Sequence, residues 1–315
     1  MTCKCRRFLT SIGVAFTALW LSQGHAATAP RDCPPVVVAT PASAARPALD
    51  RGLLWKITRG GHSSYLYGTL HVGKPSWKPG PLTAAALASS DRLALEIDPG
   101  DPALAQALTS TGPPMPLTPG TEDRLRRAFE RACLPRQALA GLDPVLQATT
   151  LTVVEARWLG LDAQYAQEQL LLTLARKEGL PLATLETPAE QVALLTAADP
   201  VTADASVAEL LTQLEDGSGR RVLQRLSQAW EHGDLAALDD FERWCECAAT
   251  VAERADLQRL NDARNPALAA GIEALHDQGL SVFAAVGALH MTGPQSLPRL
   301  LAQAGFAVER IRFGH

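Results

Sequence analysis

The chain has 315 residues, of which 47% are hydrophobic and 20% charged, and its formal net charge at pH 7 is −4. This composition is that of an ordinary globular protein with a sizeable core in one or two domains. The weak negative charge and the absence of a Lys/Arg run argue against nucleic acid as a partner. With only 5% aromatic residues, the sequence shows no aromatic-rich surface for stacking sugars or bases.

Residues 1–27 have the pattern of a secretory signal peptide. Basic residues precede an apolar stretch over 8–21, and small residues around Ala26 and Ala27 suit cleavage. The stretch is short for a membrane span, which needs roughly 20 apolar residues. We therefore expect a periplasmic or secreted protein; the alternative is an uncleaved segment that anchors the chain to the membrane. Residues 28–51 are rich in Pro and Ala and are predicted to form a disordered leader.

Four cysteines remain after the signal segment: Cys33, Cys133, Cys245 and Cys247. An even number in an oxidising compartment predicts one or two disulfides. Cys245 and Cys247 stand too close in sequence for an easy bridge, so we expect them to pair with Cys33 or Cys133, in a connectivity left open. A zinc finger is less favoured because no second Cys/His pair has finger spacing.

The ordered domain is predicted to span 52–315 and to begin with a hairpin. Residues 53–57 and 64–71 read as its strands, with a turn at 59–62, and a short helix follows over 82–89. A buried strand over 92–99 ends in Glu96 and Asp98. Because alternate residues of a strand point the same way, we expect these two carboxylates to share a face.

A largely helical insertion is predicted over about 102–262, interrupted by a short strand within 180–187. Asn265 is expected to cap the helix after it, with Pro266 at the first helical position. A strand over 281–290, a helix over 297–304 and a strand over 306–313 complete the chain. His276, in the last turn of its helix, is interpreted as a capping cation.

Two strand ends carry nearly the same residues. Gly68 to His71 and Gly287 to His290 are both Gly-x-x-His, and each follows an apolar run. Glycine permits a turn or a close approach of the backbone, and α/β folds bind ligands just past strand ends. The two histidines are therefore predicted to form two halves of one site in an α/β fold with a central mixed sheet.

His71, His290 and Glu96 are predicted to hold a divalent metal ion such as Zn, Mn, Co or Fe, because two imidazoles and a carboxylate form a suitable ligand set. Such an ion would activate water as a nucleophile. Asp98 or Glu186 could transfer the proton, and Arg264 could orient a carboxylate or stabilise an oxyanion. The alternative is that both histidines are merely hydrogen-bonded strand-end residues.

The sequence resembles the TraB/GumN family, which is similar to the Tiki proteins and more distantly to erythromycin-esterase-like and ChaN-like proteins. The resemblance covers about residues 53–312. The matching motifs are Leu54-Trp55-Lys56, Tyr65 to His71, Leu95-Glu96-Ile97-Asp98, Gly160-Leu161-Asp162, Leu185-Glu186-Thr187 with Gln191, Arg264-Asn265, and Val286 to His290 with Gly293.

The resemblance implies an α/β core in which the two Gly-x-x-His strands meet, with a helical insertion between them. From the Tiki branch it implies a metal-dependent peptidase using Mn- or Co-type ions, with His71, His290 and Glu96 needed for activity. Arg264, Asn265 and Glu186 are expected to support the site or substrate, beside Gly68, Gly287 and Asp98. Two rivals stay open: an esterase or lactone hydrolase, and a non-catalytic binder of haem, metal or a peptide signal.

Overall fold

The computed structural model describes residues 33–109 and 115–314. The predicted signal segment and its cleavage site lie outside the described residues. Within the described ranges, no helix combines the length and the apolar character that crossing a bilayer requires.

A six-stranded sheet forms the centre of the fold, in the order β4-β3-β5-β2-β1-β6. Neighbouring strands from β4 to β2 run parallel, and β1 pairs antiparallel with β2 and with β6. The strands are β1 (Leu53–Arg59), β2 (His62–Thr69), β3 (Arg92–Leu95), β4 (Leu182–Thr184), β5 (Val282–Gly287) and β6 (Ala307–Ile311). The predicted mixed sheet of an α/β fold is confirmed, including the hairpin and the short strand within the insertion.

Most helices lie between β3 and β5, which confirms the helical insertion. The helices are α1 (Pro41–Ala44), α2 (Pro81–Ala88), α3 (Pro102–Thr109), α4 (Pro119–Arg131), α5 (Pro144–Val154), α6 (Gln167–Glu178), α7 (Pro188–Leu195), α8 (Pro200–Asp216), α9 (Ser218–Glu231), α10 (Leu235–Asp239), α11 (Phe241–Trp244), α12 (Val251–Leu260), α13 (Asn265–Asp277) and α14 (Leu297–Gln303). Short 3₁₀ turns cover Arg136–Leu139, Glu155–Leu159, Ala163–Tyr165 and Ala288–Met291.

The main hydrophobic core surrounds the sheet because its central strands are apolar on both faces. All six residues of β5 are buried, as parallel central strands require. A separate buried cluster joins α4, α5 and α8 through residues such as Phe129, Leu151 and Val207. The insertion therefore has packing of its own and does not rely only on the sheet.

The segment before β1 differs from the disordered leader predicted for 28–51. In its described part, 33–51, the Asp50 carboxylate accepts hydrogen bonds from the backbone N–H groups of Leu82 (3.0 Å) and Thr83 (2.8 Å), at the start of α2. Gln164 Nε2 donates to Val37 O at 2.9 Å. Specific partners hold this Pro- and Ala-rich segment against the domain, which composition alone could not reveal.

The disulfides join Cys33 to Cys133 and Cys245 to Cys247. The expected pairing of Cys245 and Cys247 with the other two cysteines is therefore wrong. The reason lies in the backbone of Glu246, whose φ of +57° is in the left-handed region. This bend places the Cα atoms of Cys245 and Cys247 5.1 Å apart, within the range that a disulfide bridges.

His276 is not the capping cation that its position in the last turn suggested. Its ring is buried and stacks on that of His62, with ring centres 3.7 Å apart. Nδ1 lies 2.9 Å from the Ser64 hydroxyl, and Nε2 lies 3.0 Å from Arg59 O. Burial lowers the pKa of His276, so this histidine joins α13 to the hairpin as a neutral side chain.

Candidate active site

Four adjacent parallel strands end at one edge of the sheet and bring the predicted residues together. His71 follows β2 by two positions, Glu96 follows β3 directly, and Glu186 follows β4 by two. His290 lies on the 3₁₀ turn that follows β5. The carboxyl edge of a parallel sheet is where α/β folds place ligands, and here it collects side chains from positions 71 to 290.

The ring of His290 is buried, with 1% of its surface exposed. Nδ1 lies 2.6 Å from Asn265 Oδ1, and the Asn265 amide group donates to Gln295 O at 2.9 Å. Because the Asn265 oxygen then faces the ring, Nδ1 carries the proton. The lone pair of Nε2 accordingly points towards Arg264 Nη1 at 3.2 Å, and Nε2 lies 3.8 Å from Glu96 Oε1.

Asn265 does not cap its helix, contrary to the sequence prediction. Arg264 occupies the N-cap position, and no side chain caps the first turn of α13. Asn265 is the first helical residue and is fully buried. Its amide contacts the His290 ring instead, so Asn265 lies against the predicted site residues.

The Arg264 guanidinium is surrounded by acceptors. Nε donates to Glu186 Oε1 (2.7 Å), and Nη2 donates to Glu186 Oε2 (2.5 Å) and to Glu96 Oε2. Nη1 donates to Leu260 O (3.0 Å) and faces His290 Nε2. A guanidinium has five N–H donors, and all five are engaged. In this arrangement Arg264 has none free for an oxyanion or a substrate carboxylate, and it serves as the positive centre of the site.

Glu96 is buried and ionised. Burial alone would raise the pKa of its carboxyl. The charge of Arg264, together with both histidines and the Gly287 N–H, outweighs burial and holds this pKa well below its usual range. The Gly287 N–H donates to Glu96 Oε1 at 2.6 Å. Burial also lowers the pKa of Arg264, yet Glu96 and Glu186 leave it raised, so the cluster is an ion-paired network.

His71 is the more exposed of the two histidines, with 15% of its side chain accessible, so the site is reached from this side. Nδ1 lies 2.8 Å from Glu168 Oε1 in α6. Burial lowers the pKa of His71, but the charge of Glu168 and its contact with the ring outweigh this and leave it raised. Glu168 was not predicted as a site residue, because no local motif distinguishes it from the other polar residues of its helix.

Gly287 lies where these side chains converge. A Cβ atom built on this glycine would lie 3.4 Å from Glu96 Oε1, 3.5 Å from His290 Cδ2 and 3.7 Å from His71 Nε2. The two imidazoles and the carboxylate therefore face one small space that the missing side chain leaves open. This convergence is the geometry that the paired motifs predicted.

Asp98 and Gly68, which were also predicted as site residues, do not face the space beside Gly287. β3 ends at Leu95, so the strand alternation expected for Glu96 and Asp98 does not extend that far. Asp98 Oδ1 instead accepts from Gly100 N at 2.8 Å and lies 3.8 Å from Arg176. A Cβ on Gly68 would lie 3.1 Å from the Ala288 Cα, so this glycine lets β2 approach the turn that carries His290.

The donors of the site match a divalent metal ion in kind, because both histidines contact an oxygen acceptor at Nδ1. The arrangement of these donors does not suit an ion. Arg264 faces the lone pair of His290 Nε2 and holds Glu96. Within the described ranges, no group of three or more His, Cys, Asp or Glu side chains is placed to hold an ion. As arranged, Glu96 and His290 both contact the guanidinium, and an ion could bind these two with His71 only after Arg264 moved.

His290 makes the stability of the fold depend on pH. Burial lowers its pKa from 6.5 to about 4. Between these values the unfolded chain binds a proton that the folded chain does not, so the free energy of unfolding falls as the pH drops. We expect the wild type to lose about 2–3 kcal/mol more between pH 7 and pH 4.5 than His290→Gln. Urea unfolding at both pH values measures this, and equal losses would show that His290 is not a buried neutral imidazole.

Residues 53–310 match the family described as TraB/PrgY/gumN. No curated protein and no solved structure matches the chain. The matched range includes every strand end that contributes a side chain to the site.

Proposed function

Because the chain belongs to the TraB/PrgY/gumN family, we propose that it is an exported hydrolase that cleaves peptide bonds at the carboxyl edge of its sheet. One observation supports the hydrolase assignment. Two imidazoles whose pKa values are shifted in opposite directions, raised for His71 and lowered for His290, face the same space beside Gly287. The raised pKa of His71 suits a ring that takes up and returns a proton, and the lowered pKa of His290 suits a ring that stays neutral beside it. The peptide class rests on the resemblance to the Tiki branch.

In the proposed reaction, His71 is the general base because Nε2 faces the shared space and its ring is accessible. Nε2 takes a proton from water as the water oxygen bonds to the carbonyl carbon. The resulting imidazolium gives a proton to the leaving nitrogen as the C–N bond breaks. The ionised Glu96 stabilises the positive charge on His71 during this transfer. Burial, with the charge of Arg264, keeps His290 neutral, and Asn265 holds its ring in place.

The metal dependence implied by the Tiki resemblance stays a prediction for this chain. Since Arg264 lies between Glu96 and His290, the proposed steps use only side chains of the chain itself. Export likewise stays a proposal that rests on residues 1–27. An ester or lactone substrate would use the same base, so the bond cleaved must be determined by experiment.

The test is a digest of a peptide library by the purified chain, alone, with EDTA, and with Mn²⁺, Co²⁺ or Zn²⁺. Ester and lactone substrates run in parallel. We expect peptide cleavage, and we expect His71→Ala and His290→Ala each to reduce it by about 10²- to 10⁴-fold. His232→Ala is the control, because among the described residues that ring bonds the Gln228 carbonyl of its own helix turn and no other group.

Each outcome decides one part of the proposal. Cleavage of esters but not peptides would reject the peptide class and keep the hydrolase. Activity that is abolished by EDTA and restored by one ion would show that a metal ion displaces Arg264 from the site. Undiminished activity in both histidine variants would reject the site. A chain that cleaves nothing and shows a Soret band with haem would be a binding protein.

A further inference from the structure

Glu168 belongs to the helical insertion, yet it contacts the strand end that carries His71. Its Oε1 lies 2.8 Å from His71 Nδ1 and also accepts a hydrogen bond from the Thr69 hydroxyl. Its side chain is 13% exposed. The other carboxylate oxygen, Oε2, is buried and has no hydrogen-bond partner among the described residues. The polar contacts of the Glu168 side chain are therefore with residues at the end of β2.

The backbone around Glu168 is attached closely to the residues that follow β2. Gly73 and Asp162 exchange two backbone hydrogen bonds, at 3.0 and 2.9 Å, and Gln167 N donates to Leu70 O at 3.1 Å. A Cβ on Gly73 would lie 2.0 Å from Tyr165 O, so only glycine permits this contact. Glu168 is therefore held at a fixed place relative to His71, although 97 positions separate them.

Among the described residues, Glu168 forms no salt bridge with a lysine or an arginine, and its one ionic contact is with His71. Glu168 lies in the first turn of α6, where unpaired backbone N–H groups make the helix end positive. No side chain caps this helix end. The carboxylate is therefore available as an acceptor for the imidazole N–H of His71.

We infer that Glu168 is the positioning residue of His71, holding the proton on Nδ1 so that the Nε2 lone pair faces the space beside Gly287. Nδ1 and Glu168 Oε1 are close, but the contact lacks the alignment of a good hydrogen bond, and among the described residues no other group bonds Nδ1. In the neutral ring only one nitrogen carries the proton, and the partner of the other decides which. With the proton on Nδ1, beside Glu168, Nε2 is the acceptor that a general base needs. The inference assigns a role within the proposed reaction, and in that respect it rests on the proposed function.

The decisive measurement is a long-range ¹H–¹⁵N spectrum of the histidine rings of the full chain, recorded at pH 9, where imidazoles are neutral. The His71 signals are assigned as those lost in His71→Ala, since the chain has seven histidines. We expect the Nδ1–H tautomer for His71 in the wild type. An Nε2–H tautomer there would overturn the inference without any variant of Glu168.

Variants then test whether Glu168 is the cause. In Glu168→Ala we expect the His71 ring to lose its preference for Nδ1–H, and hydrolysis to fall by about 10–100-fold. Glu168→Gln keeps an acceptor oxygen and should restore the tautomer and part of the activity. Glu178→Ala, at the exposed end of the same helix, is the matched control. An unchanged tautomer in Glu168→Ala would overturn the inference, whereas a chain without hydrolytic activity but with the expected tautomers would reject only the proposed function.

Discussion

Replacing Arg264 by alanine is expected to lower the free energy of unfolding at pH 7 by about 3–5 kcal/mol, because removal of one partner of a buried ion pair leaves the other charge unpaired. Arg264 is 7% exposed and pairs with two buried carboxylates, Glu96 and Glu186. Its loss leaves both without their cation. Urea unfolding of the purified variant measures the change.

Arg126 supplies the matched control. It also pairs with two carboxylates, Asp123 and Glu130, but its side chain is 45% exposed. Because water screens exposed pairs, Arg126→Ala should cost much less than Arg264→Ala. Similar costs for the two variants would mean that the Arg264 network is not buried as described. Adding Glu186→Gln to Arg264→Ala should recover part of the loss, because one unpaired charge is removed.

Arg264→Ala also tests whether Arg264 competes with a metal ion for the site. Without the guanidinium, Glu96, Glu186 and the Nε2 lone pair of His290 lose their shared cation, and together they are a ligand set of the kind that binds Zn²⁺ or Co²⁺. We expect either ion to stabilise Arg264→Ala by about 2.7 kcal/mol at 100-fold its dissociation constant. The wild type should gain less. Equal stabilisation of both proteins would show that Arg264 does not compete with the ion.

Gly287→Ala is expected to leave the fold intact and to reduce hydrolysis by about 10²-fold or more. The backbone at Gly287, with φ −50° and ψ 138°, is one that alanine adopts without strain. The new methyl would lie 3.4–3.7 Å from atoms of Glu96, His290 and His71, which is ordinary contact and not a clash. It would fill the space between the three side chains, where the proposed water and carbonyl must meet, and small displacements of reacting groups are costly.

The measurement compares initial hydrolysis rates and unfolding midpoints of Gly287→Ala and the wild type. Gly120→Ala is the control, because a Cβ there has no neighbour within 4 Å and the residue lies in a helix. Full activity in Gly287→Ala would show that the reacting atoms lie elsewhere. Unfolding of the variant at room temperature would show that the space beside Gly287 is packed more tightly than described.

Much of the fold follows from local sequence pattern. Apolar runs closed by Gly and Pro predicted β2 and β5, because a buried parallel strand needs apolar side chains on both faces and a turn at its end. The matching Gly-x-x-His endings predicted that His71 and His290 meet. They do so since β2 and β5 are adjacent and parallel, with Thr69 opposite Gly287.

Other site residues depended on contacts between distant parts of the chain. Asp98 was expected beside Glu96, but β3 ends one residue before Glu96 and the alternation stops. Asn265 matched a helix cap by sequence, yet its amide bonds His290, 25 residues away. Local pattern predicts the backbone state of a residue and does not predict which distant side chain its polar atoms will reach.

The sequence by itself determined the α/β class, the strand ends and the meeting of two histidines with Glu96, because these follow from periodicity and from the common direction of parallel strands. Only the tertiary structure decided how charge is arranged around them. It placed the Arg264 guanidinium between Glu96 and His290, and it brought Glu168 from the insertion to His71. Such placements arise from packing of elements far apart in the chain, where burial forces each polar group to find a partner and several partners are within reach.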